Sequence, residues 1–113
     1  MAYTGVAQDN LPQFSVGTVG AGFPSSIITA MGRISQSITP ASVAATTAAE
    51  QTFTVPGLRV GDFVDVTPPG LTAGVAPVTS RVSAANTLAI TWLNPTAGAL
   101  VPAAGVYQIQ VMR

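Results

Sequence analysis

Residues 41–113 are divided into short apolar–polar alternations by residues that turns accommodate and strand interiors do not. Residues 50–55 (EQTFTV) place Phe53 and Val55 on one face and Thr52 and Thr54 on the other. The run stops at Pro56-Gly57, a pair suited to a type II turn because the second central position needs positive φ. Residues 62–67 (DFVDVT) alternate next and end at Pro68-Pro69-Gly70. Residues 75–83 and 87–94 form a further pair, residues 106–112 (VYQIQVM) close the chain, and residues 43–46 add a short edge strand. Such spacing, with no sustained helical period, predicts an all-β fold: a small antiparallel β-sandwich or barrel, jelly-roll-like in character.

The pair at residues 81–94 (RVSAANTLAITWLN) reads as a hairpin joined by Ala84-Ala85-Asn86. Asn86 stands where such a connection needs a left-handed residue, a conformation asparagine tolerates. Beyond it Leu88, Ile90 and Trp92 share a face, as do Tyr107, Ile109 and Val111 in the closing run. The expected core is Phe53, Val64, Leu88, Ile90, Trp92 and Tyr107, with Trp92, the chain's one tryptophan, as part of a wall rather than a stacking platform.

Residues 1–40 read differently. Glycines and prolines separate isolated large side chains, and only residues 33–39, with Ile34 and Ile38 on one face, suggest a short strand. The expected organisation is an extended N-terminal arm over residues 1–40 and a β-domain over residues 41–113. Leu11, Phe14, Phe23 and Ile27 are the candidate anchors, because apolar groups in a segment without its own core need a partner's pocket.

Charge narrows the function. Charged residues make up 7% of the chain and sum to zero, against about 25% in ordinary domains. Nucleic acid and acidic membranes both call for clustered Lys or Arg, so neither is expected as a partner. Without cysteine there is no disulfide framework and no thiolate metal site. The opening MAYTGVAQDN lacks the basic start and apolar core of a signal peptide, and use without secretion is expected. A surface so short of charge is expected to be covered, and a repeated assembly is one natural cover.

No residue set in the chain marks a catalytic centre. No histidine is present to serve as a base, and no GxSxG elbow occurs. Asp62 and Asp65 lie three apart, which sends them to opposite faces of a strand, and Glu50 reads as a strand-end charge. GAGFPSS at residues 20–26 breaks both the dinucleotide and the P-loop patterns, and Pro95 excludes Asn94 as a glycosylation acceptor. Neither enzyme activity nor a cofactor nor a metal is expected.

Three stretches together carry a resemblance: TFTVPGLRVGDFVDVTPP, RVSAANTLAITWLNPTAG and the terminal VYQIQVMR. Residues 41–113 resemble the small β-domain of bacteriophage virion proteins that decorate or cement the capsid shell or form head fibres. The resemblance implies a non-enzymatic structural protein on the capsid exterior, assembled in the host cytoplasm, with the major capsid protein as partner and a homotrimer as its assembly. The alternative is a host-adhesion or carbohydrate-binding module on a head or tail fibre, which would need Trp92, Tyr107 or Tyr3 exposed in a groove.

Overall fold

The structure is a computed structural model in which residues 30–113 are described. Six strands run in chain order: β1 (Met31–Ile38), β2 (Thr47–Thr54), β3 (Phe63–Thr67), β4 (Ala76–Ala84), β5 (Thr87–Asn94) and β6 (Gly105–Met112). They form two antiparallel three-stranded sheets, ordered β1-β6-β3 and β2-β5-β4. No helix occurs among the described residues. Only the β4–β5 hairpin keeps its connection within one sheet; every other link crosses to the opposite sheet, so the layers are interlocked by the chain itself.

Alternation along the central strands explains the layering. On β5, Leu88, Ile90 and Trp92 turn inward; on β6, Tyr107, Ile109 and Val111 do the same, and all six are buried. Ile38, Val43, Val55, Leu58, Val75 and Val82 complete the core, with Phe53, Val64 and Val66 half-buried against it. Phe53 meets Trp92 edge to face, the ring centroids 5.8 Å apart at 89°. Thus Leu88, Ile90, Trp92 and Tyr107 lie fully in the expected core, and Phe53 and Val64 at its margin.

The turns explain how the layers are tied at one end. Gly57 adopts φ +100° and Asn86 φ +58°, the left-handed conformations their positions require. The two turns also meet: Asn86 Oδ1 accepts a hydrogen bond from Gly57 N (2.8 Å), Asn86 N donates to Leu58 O, and Val55 N donates to Asn86 O. The connection itself is two residues, Ala85-Asn86, because β4 runs on to Ala84 after a register shift beyond Val82. At the other end the buried Tyr107 hydroxyl donates to Ala103 O (2.6 Å), pinning the entry of β6 as a tyrosine corner does in other sandwiches.

Two expectations change. Residues 43–46 are not a strand: Val43 makes a single two-bond bridge to Leu100, its carbonyl shared with the buried Asn94, and the chain then turns at Ala45-Thr46. The boundary between arm and β-domain also moves. Met31–Ile38 pairs with the whole of β6, from Met31 opposite Met112 to Ile38 opposite Gly105, and so belongs to the β-domain. Ile34 and Ile38 do share the inward face, but what makes the segment a strand is its partner at the far end of the chain.

Candidate functional site

Glu50 and Asp62 are engaged in holding the fold, while Asp65 stands exposed without an ion-pair partner among the described residues. Asp62 is nearly inaccessible, its side chain 3% exposed, and receives Arg113 through Nε at 2.8 Å and Nη2 at 3.1 Å. Its Oδ2 also accepts from Arg59 N (2.9 Å), closing the turn into β3. The Arg113 guanidinium therefore holds the Asp62 carboxyl below the usual carboxylate range, against the opposing effect of burial. Glu50 is likewise lowered by Arg81, which approaches it through two nitrogens at 2.9 and 3.0 Å. That pair crosses the outer face of the second sheet, and the outward Ala89 between them is buried.

Asn94 is buried and fully engaged. Its Nδ2 donates to Val43 O and Gly98 O, and its Oδ1 accepts from Thr96 N and Thr96 Oγ1. The side chain is thus a staple between two loop segments, the one at Val43 and the one at Thr96–Gly98, rather than a modification site.

Trp92 and Tyr107 are buried, which removes them as glycan-stacking surfaces, and burial pushes the Tyr107 hydroxyl up. Tyr3, the GAGFPSS stretch and the arm anchors Leu11, Phe14, Phe23 and Ile27 lie outside the described residues. Among the described residues no three His, Cys, Asp or Glu side chains gather to hold a metal ion. A hollow of about 220 Å³ opens at the start of β1, where Gly32 and Gly57 contribute no side chain between Ile34 and Val111. It is smaller than the ~300–1,000 Å³ typical of a ligand cleft.

What remains is the outer surface. Large apolar side chains stand exposed toward both ends of the sandwich. Met31, Val60 and Phe63 lie at one end, Phe63 72% exposed; Leu71 and Val101 lie at the other, where Thr72 Oγ1 donates to Val101 O. Between the ends, the outer face of the β1-β6-β3 sheet is laid out in rows set by register. Met31, Met112 and Phe63 make the first row, Arg33, Gln110 and Asp65 the second, and Ser35, Gln108 and Thr67 the third. In the third row Ser35 Oγ donates to Gln108 Oε1 at 2.8 Å.

The alternation that puts Tyr107, Ile109 and Val111 on one face of the closing run leaves Gln108 and Gln110 on the other, but it does not contain the rows. Their members come from three separated segments, and only the alternation within each was readable in advance. Comparison with known proteins adds no assignment: no family model, no curated protein and no solved structure matches this chain.

Proposed function

We propose that this chain is a non-enzymatic structural protein of a bacteriophage virion that binds the outer capsid surface and decorates or reinforces it. One observation carries the reading: a surface poor in charge leaves Val60, Phe63, Leu71, Val78 and Val101 more than half exposed. Exposed apolar groups gathered at the ends of the sandwich offer contact surfaces, and Glu50 and Asp62 are bound up in internal pairs. The capsid supplies a repeated partner, so each weak contact is multiplied over the shell. The resemblance of residues 41–113 to decoration and head-fibre domains names the shell, the major capsid protein and a homotrimer.

The test is co-sedimentation of full-length protein, and of protein lacking residues 1–29, with capsids stripped of decoration. Full-length protein is expected to pellet with capsids, and the shortened form to bind at least tenfold more weakly through loss of Leu11, Phe14, Phe23 and Ile27. Full-length protein that stays in the supernatant would overturn the capsid reading. Equal binding by both forms would assign attachment to the sandwich.

A further inference from the structure

We infer that the outer face of the β1-β6-β3 sheet pairs with the same face of a second copy about a two-fold axis running along β6. The face has the symmetry that such a contact demands. An axis along β6, lying between two facing sheets, carries β1 of one copy over β3 of the other and returns each row to itself. Arg33 then stands over Asp65 of the second copy and Asp65 over its Arg33, while Gln110 meets Gln110 on the axis. Met112 meets Met112, and Met31 lies over Phe63, a sulfur–aromatic contact. Residue i contacting j while j contacts i is the signature of an isologous interface.

Other two-fold placements lose this match. An axis across the strands, between Gln108 and Gln110, sets Arg33 over Ser35 and the methionine row over Ser37 and Val106, leaving both charges without a counterpart. Within one chain Arg33 and Asp65 do not pair. They flank Gln110 on strands about 10 Å apart, a span that Glu50 and Arg81 bridge only over the small Ala89 of β5, and neither has an ion-pair partner among the described residues. Gln108 and Gln110, flanked by Ser35, Thr67 and the charge pair, supply hydrogen-bonding groups without a net charge.

The size of the face sets the strength. Three strands of eight, eight and five residues, spaced about 4.8 Å apart with about 3.3 Å of rise per residue, cover about 330 Å² on each partner. The total of about 660 Å² is below the ~1,200–2,000 Å² of stable complexes. The pairing is therefore weak and dynamic in dilute solution and becomes populated where copies are held close together. It does not depend on the identity of the surface that holds them.

The chain has no cysteine, so a thiol placed at Gln110 reports on the axis without background. Full-length Gln110→Cys protein at about 100 µM, treated with a short bis-maleimide, is expected to give a covalent dimer. Thr52→Cys, on the outer face of the other sheet, is expected to remain at least tenfold less cross-linked. Adding Arg33→Asp to Gln110→Cys should lower the dimer yield at least fivefold, and Arg33→Asp with Asp65→Arg should restore it, since the exchanged charges again face each other. Circular dichroism of each variant guards against loss of fold.

Equal yields from positions 110 and 52, or failure of the double exchange to restore the dimer, would overturn the pairing. A thiol at position 110 that reacts with maleimide only after removal of residues 1–29 would show the face covered by the chain's own N-terminal segment and would also overturn it. Capsid co-sedimentation is read separately, so failure here leaves the virion assignment standing, and the reverse holds as well.

Discussion

At the residue scale, the side chains that stand out in the sequence act on stability. Trp92→Ala removes the largest buried side chain together with its edge contact to Phe53. A loss of about 3–5 kcal/mol is expected in urea or guanidinium denaturation. Asn94→Ala removes four hydrogen bonds and leaves Thr96 N without its partner, while Val43 O keeps Leu100 N and Gly98 O keeps Thr96 Oγ1. Its expected cost is about 1–3 kcal/mol, the loss for a buried polar group left unpartnered. Asp62 adds a pH dependence whose direction follows from its lowered folded pKa. The unfolded carboxyl titrates near about 3.9, so the contribution is fully present above about pH 4 and is lost as pH falls through the folded value. Asp62→Asn should therefore be less stable at pH 7 and should show a smaller drop between about pH 4 and pH 2, read from denaturation midpoints against pH.

At the element scale, the strand that the sequence reveals least clearly closes the first sheet. Removing residues 1–29 leaves all six described strands in place, so cooperative unfolding and a β-type circular dichroism spectrum are expected to survive. Removing residues 1–38 deletes β1 and uncovers one flank of β6 beside Tyr107, Ile109 and Val111. That form is expected to lose cooperative unfolding, and a sharp transition in it would show β1 to be dispensable. The contrast also explains what was legible. β2 to β6 were readable because each combines local alternation with turn residues such as Pro56-Gly57 and Asn86, and the inward set from Leu88 to Trp92 follows from period two alone. β1 was only hinted at, through Ile34 and Ile38, because Gly32, Ser35, Gln36 and Ser37 dilute its pattern and its stabilisation comes from β6. The rows on the outer face were hidden for a related reason: register between distant strands is fixed by the packed core, and no local stretch contains it.

At the scale of the whole molecule, assembly follows from which surfaces are left over. A two-fold face cannot close a three-fold ring, so a homotrimer must draw on other surfaces, of which the outward edges of β1 and β2 present unpaired strand backbone among the described residues. Light scattering at micromolar concentration is expected to give the mass of three chains, and a stable monomer would count against the trimer. The burial of Trp92 has a practical consequence for all such measurements. With one tryptophan in the chain, lodged between the sheets against Phe53, tryptophan emission, excited selectively beyond the tyrosine band, comes from a single site shielded from water. Its wavelength should stay constant while copies pair or attach to a surface, and should move to the red only when the sandwich opens. The protein thus carries an intrinsic optical probe that separates unfolding from association, without a dye or an added label.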